Sequence, residues 1–176
     1  VSGCAFQSLF SNPLATPDTL GVASGTSFGA ALALLLGFGM LGVQAMALFF
    51  GIAAVALTYL AGSGKGRSSM GMMILSGIMV GSLFTALISL IKFTADTESQ
   101  LPVITYWLMG SMSAAGYDSL LLGAPLIVLG IAVLYLLRWR LNILLLSDDE
   151  ARASGMNVKA MPIVTVLGAT GITASC

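Results

Sequence analysis

Ala30-Ala31-Leu32-Ala33-Leu34-Leu35-Leu36 lies inside a run, Thr19 to Gly64, that carries no charged residue. As one helix that run would be roughly 69 Å long at about 1.5 Å per residue, far more than a hydrocarbon core of about 30 Å. It must therefore fold back on itself, and Gly37, Gly39 and Gly42 mark the place, since glycine tolerates a turn. Ser68 to Ile91 and Ser119 to Leu137 are also free of charge. The spacing predicts complete spans at about 21–39, 43–61, 70–91 and 119–137. Partial spans end near Phe10 and begin near Met161. Backbone donors inside a bilayer must be satisfied within their own segment, which favours helices. A β-barrel would alternate polar and apolar residues in short segments, and these runs do not. The expected fold class is all-α: a polytopic transmembrane helical bundle of about four complete spans plus two partial ones.

Composition supports the same reading. Charged residues make up 8% of the 176, against roughly 25% in ordinary globular proteins, too few to cover a soluble domain. Seven basic and seven acidic residues cancel, so no nucleic-acid partner is expected. The chain has no His, the commonest metal ligand and general base. Cys4 and Cys176 stand at opposite ends and form no readable metal or disulfide motif. No catalytic residue, metal site or cofactor is expected.

The basic residues orient the spans. Lys65, Arg67, Arg138, Arg140, Arg152 and Lys159 fall in loops on one side, and only Lys92 on the other. By the positive-inside bias, loops 11–20, 62–69 and 138–160 are expected to be cytoplasmic and 92–118 external. Tyr106 and Trp107 then suit the external interface, and Trp139 the cytoplasmic one. The chain does not begin with Met, shows no signal peptide, and starts and stops in hydrophobic sequence. The expectation is a single transmembrane domain, 1–176, cut from a longer protein at both ends.

Small residues at spacing four form a stripe at Gly21, Gly25, Gly29, Ala33 and Gly37, and Gly77, Gly81, Thr85 and Ser89 repeat it. Such a face lets a neighbouring backbone approach closely. It serves either tight helix packing or the flank of a pathway. Three polar stretches interrupt the apolar sequence. In the first, Pro13 and Pro17 break a helix, and Asp18 or Thr19 is expected to cap the next. In the second, 92–118, Leu101 to Met112 is apolar enough for a short helix, with Gly110 and Gly116 at its exit. In the third, Ser147 is expected to cap a short helix with Asp148, Asp149 and Glu150 in its first turn, Arg152 following and Gly155 ending it. This segment is either a solvated loop helix or a docking element for a cytoplasmic partner.

The stretch Asn12-Pro13-Leu14-Ala15-Thr16-Pro17-Asp18-Thr19-Leu20-Gly21-Val22, continuing to Gly25, Gly29 and Ala30, resembles the signature of the iron-siderophore and cobalamin (FecCD-type) permeases. These are the membrane subunits of type II ATP-binding-cassette importers. Leu75 to Gly81, Tyr106 to Ser111 and Leu141 to Gly155 agree in the same order. Thr26, Ser147 and Ser154 depart from the family pattern, the last two inside the docking segment.

The resemblance implies a permease that works as a homodimer in a bacterial inner membrane, with membrane lipid around it. It implies a cytoplasmic ATPase below and a periplasmic or lipid-anchored substrate-binding protein above. The permease itself would be no enzyme. Segment 141–155, with Asp148, Asp149, Glu150, Arg152 and Gly155, would couple it to the ATPase. Gly21, Gly25, Gly29, Gly77 and Gly81 would pack helices or flank the pathway. The implied cargo is a ferric siderophore, or haem or cobalamin, moved by alternating access. The competing readings are an ion-coupled secondary transporter and a structural membrane subunit. Ion-coupled carriers usually hold ionisable groups inside the membrane, and the charge-free spans argue against one.

Overall fold

The computed structural model describes residues 1–62, 70–110, 116–143 and 160–175. They form seven helices: α1 (Ser2–Leu9), α2 (Val22–Leu35), α3 (Met40–Gly62), α4 (Met70–Thr94), α5 (Gln100–Met109), α6 (Tyr117–Ile143) and α7 (Ala160–Ser175). Among the described residues, three helices are long and apolar enough to cross a membrane: α3, α4 and α6. The all-helical bundle expected from the sequence is the observed fold.

The first charge-free run divides at its glycines. Leu35 ends α2, Gly37 takes φ +73°, and α3 starts at Met40. Gly42 lies inside α3 rather than in the turn. The expected complete span at 21–39 is a helix of only 14 residues, about 21 Å long. It is short because the chain before it stays non-helical as far as Gly21. Phe28, Ala30, Ala31 and Ala33 are buried, as expected of a helix apolar on every side.

Phe28, Phe50 and Phe84 bring α2, α3 and α4 together, with ring centroids of Phe28 and Phe50 4.8 Å apart at 89° and those of Phe28 and Phe84 5.5 Å apart. Edge-to-face rings suit the aromatic quadrupole. A second cluster joins Phe6, Ala15, Leu20 and Val22 to Leu134, Ala169 and Ile172, packing α1 and the corner against α6 and α7.

The short helix expected within 92–118 is α5, which ends before Gly110 at φ +70°. Its Ile104 is fully buried in the cluster that holds Phe28 and Phe84. Gln100 Nε2 donates to the Leu35 carbonyl at 3.2 Å, satisfying an otherwise orphaned acceptor at the end of α2. Before α5, the Asp96 carboxylate accepts from the Ser99 backbone N–H and hydroxyl. The Ser99 hydroxyl bond chiefly holds that carboxyl below its ordinary range. α6 continues through Arg138, Trp139 and Arg140 to Ile143, so these residues are helical instead of opening the loop expected at 138.

Candidate functional site

The region that joins α2, α3 and α4 is built on glycine. A Cβ at Gly25 would stand 2.6 Å from the Ala54 Cβ and 2.8 Å from the Phe50 carbonyl oxygen. One at Gly29 would fall on the Met46 carbonyl, and one at Gly77 on the Thr19 carbonyl. Gly21 faces the backbone of Gly77 and Gly81 at 3.0 and 3.1 Å. Gly81 in turn meets Ser24 and Gly21. Gly21, Gly25 and Gly29 thus lie at crossings with α4 and α3, and Gly77 and Gly81 at the crossing with the chain entering α2. Backbones at this distance leave no room for a side chain, which is the advantage of small residues in helix packing. Gly37 has open space instead, so the stripe loses its packing role after Ala33. Thr85 and Ser89 point their hydroxyls back to the carbonyls of Gly81 and Thr85, and both are exposed.

Residues 10–21 form the corner between α1 and α2. The Leu14 N–H donates to Asn12 Oδ1 at 2.9 Å, an Asx turn of the kind that asparagine favours. Gln7 Nε2 reaches back to the Pro13 carbonyl at 3.0 Å. Thr16 and Thr19 exchange bonds: each backbone N–H donates to the other's hydroxyl, at 2.8 and 3.1 Å. The sequence reading put Asp18 or Thr19 at the N-cap of α2, and neither is there. The N-cap is Gly21, in the left-handed region at φ +72°, with no side-chain cap. The Val22 and Ala23 N–H groups donate to the Pro17 carbonyl instead. The Thr19 hydroxyl is engaged within the corner, which removes it as a cap.

A hydroxyl relay that the sequence did not reveal ties this corner to the two spans. Thr58 Oγ1 donates to the Leu20 carbonyl at 3.0 Å. Ser76 Oγ donates to the Thr58 carbonyl at 3.0 Å, while the Met73 carbonyl lies at 2.9 Å. Thr58 is 1% exposed and Ser76 6%. Gly77 packs on Leu20 some 10 Å along α4 from its first residue, at about 1.5 Å per residue. Irregular backbone so far inside a membrane domain survives only where protein satisfies it, and the relay does so here. Its only sequence signal was a Thr and a Ser within apolar helices.

Segment 141–155 is described only at its start. Leu141 is buried at the end of α6, whereas Asp148, Asp149, Glu150, Arg152 and Gly155 lie outside the described residues.

Fold and corner together define a multi-pass membrane domain built around a short buried helix with an irregular entry. The FecCD transport family profile matches residues 1–176. The molybdate import permease MolB of Haemophilus influenzae is 39% identical, over 93% of this chain and 48% of its own length. The hemin transport permease HmuU of Yersinia pestis is 33% identical, over 90% of this chain and 49% of its own. A solved inward-facing transporter of the metal-chelate ABC type superposes with a TM-score of 0.83 at 36% identity, covering 99% of this chain and 56% of that one. The chain belongs to the FecCD transport family, the permeases of ABC importers, and is not the ATPase. It spans about half the length of the relatives it matches.

Proposed function

We propose that this chain is about half of the permease subunit that forms the membrane pathway of an ABC importer for metal chelates, with a ferric siderophore, haem or cobalamin as cargo. The observation that carries the reading is the superposition on a metal-chelate ABC transporter over 99% of the chain. The helices α2 to α4 are apolar, and Lys92, in the last turn of α4, is their one charged residue. Walls of this kind suit a bulky chelate carried whole, with the metal wrapped by its own ligands. The 39% identity to a molybdate permease supports a second reading, in which the cargo is an oxyanion.

In this proposal a separate cytoplasmic ATPase hydrolyses ATP and pushes on segment 141–155 through Asp148, Asp149, Glu150 and Arg152. An external binding protein delivers the cargo, and two permease copies enclose the route in the bacterial inner membrane. The relay and the glycine crossings make the corner, α2, α3 and α4 one rigid body. Packed bodies of this kind switch between discrete arrangements rather than deforming continuously. Gly21, Gly25, Gly29, Gly77 and Gly81 hold that body together beside the pathway.

The test is uptake by proteoliposomes that hold the complete permease and its ATPase, supplied with the binding protein. ATP-dependent accumulation of a ferric siderophore, with molybdate excluded, supports the chelate reading. Molybdate uptake alone selects the second. Uptake driven by an ion gradient without ATP refutes both.

A further inference from the structure

The hydroxyls of α7 do not behave alike. Thr165, Thr173 and Ser175 each donate to the carbonyl four residues back, at 2.9, 2.9 and 2.8 Å. Thr170 is the exception: its Oγ1 is buried and has no partner among the described residues. The residue is fully buried within this chain, so no further segment or second copy reaches it. Its own helix offers an acceptor, for the Val166 carbonyl stands four residues back and has a second lone pair. A buried hydroxyl that makes no bond is uncommon and calls for a cause.

The cause lies across the contact with α3. A Cβ at Gly51 would stand 3.0 Å from the Thr170 Cγ2 and 2.6 Å from the Thr26 Cγ2. Two methyls, one from α7 and one from α2, thus close over the same bare Cα of α3, and Thr170 turns its methyl to that contact. No room is left there for a water, which would also need two or more polar partners. The Thr26 hydroxyl is already bonded to the Ala23 carbonyl at 2.9 Å. The rest of the joint is weakly directional. Ala169 and Ile172 share an apolar cluster with Ala15 and Leu20 of the corner. The side-chain bond from α3 to α7, Gln44 Nε2 to Ser175 Oγ, is 3.4 Å long, beyond the usual range. The relay that fixes the corner to α3 and α4 has no counterpart here among the described residues.

We propose that Thr170 is a latch between two arrangements of α7. In the one seen here the methyl sits on Gly51 and the hydroxyl is stranded. When α7 shifts off Gly51, the side chain turns and its hydroxyl bonds to the Val166 carbonyl. The methyl contact favours the first arrangement and the hydrogen bond the second, so α7 has two defined positions against α2 and α3 rather than a continuous slide. The inference rests on the reading of the chain as a transporter that switches between discrete arrangements, and it names a joint at which the switch occurs.

The experiment uses the complete permease with its ATPase in vesicles. Thr170→Val keeps the shape and removes the hydroxyl. It should raise the unfolding midpoint of the resting protein, since no bond is lost and a stranded polar group is removed. A hydroxyl bonded in the resting protein would make the same variant less stable, and that result would overturn the proposal. A cysteine pair at Gln44 and Ser175, in a background without Cys4 and Cys176, reports the contact of α3 with α7 through its rate of oxidative cross-linking. ATP should slow cross-linking in the protein that keeps Thr170. With Thr170→Val the slowing should shrink about threefold, the worth of one side-chain hydrogen bond in a membrane bundle. Thr170→Ser should shrink it as well, because without the methyl its hydroxyl can bond back in either arrangement. Cross-linking insensitive to ATP in a complex that hydrolyses it, or a Ser variant that responds like Thr, would overturn the latch. The unfolding arm needs neither ATP nor cargo, so it decides on Thr170 even where the transport reading fails.

Discussion

Replacing Thr58 by Val isolates the relay from packing, because Val keeps the shape of Thr and loses only the donor. The Leu20 carbonyl would then stay buried beneath α3 and α4 without its 3.0 Å partner. Side-chain hydrogen bonds between membrane helices average only about 0.6 kcal/mol, since the reference state finds other partners. Leu20 sits in irregular backbone, so its carbonyl has no next turn of helix to fall back on. The cost should approach that of stranding a buried acceptor, about 1–3 kcal/mol. Ser76→Ala should cost less, about 0.5–1.5 kcal/mol, because the Ser76 hydroxyl already shares itself with the Met73 carbonyl. Reversible unfolding of the purified protein in mixed micelles measures both. Thr58→Ser should recover most of the loss, as it restores the donor while removing a methyl. If Thr58→Val unfolds at the wild-type denaturant concentration, or Thr58→Ser is no better than Val, the relay does not hold the corner.

Three further outcomes are expected. Gly29→Ala should destabilise by about 1–3 kcal/mol, the range for overpacking a tight contact, because the Met46 backbone blocks the new methyl; Gly39→Ala, with open space around it, is the control in the same melting assay. With Cys4 and Cys176 replaced, a cysteine at Ser63 should react with impermeant thiol reagents only from the cytoplasmic side, and one at Ser99 only from outside; labelling of both from one face would reverse the orientation. Glu150→Lys in the complete protein should weaken co-purification of the ATPase, by about 2–5 kcal/mol if its partner is a buried charge and far less at an exposed rim. Unchanged binding in Glu150→Lys and in the triple reversal with Asp148 and Asp149 would make the segment a solvated loop.

Sequence alone announced the three long apolar helices, while the fourth complete span it predicted, at 21–39, is the 14-residue helix α2. A charge inside hydrocarbon is expensive whatever its neighbours, so uninterrupted apolar runs announce α3, α4 and α6 without reference to tertiary contacts. The glycine turn after Leu35, the short helix α5 and the spacing-four stripe were legible for similar local reasons. The partners of that stripe were not. Gly25 and Gly77 read alike in sequence, yet one faces α3 and the other the carbonyl of Thr19. The capping of α2 was misjudged because Thr19 can bond either to the helix ahead or to Thr16 behind, and only the folded corner selects Thr16. Thr58 and Thr85 are likewise indistinguishable by residue type. Thr85 returns its hydroxyl to its own helix, whereas Thr58 spends it on a carbonyl 38 residues away. Which acceptor a hydroxyl takes depends on what irregular backbone the fold brings within 3 Å of it, and the tertiary structure alone decides that.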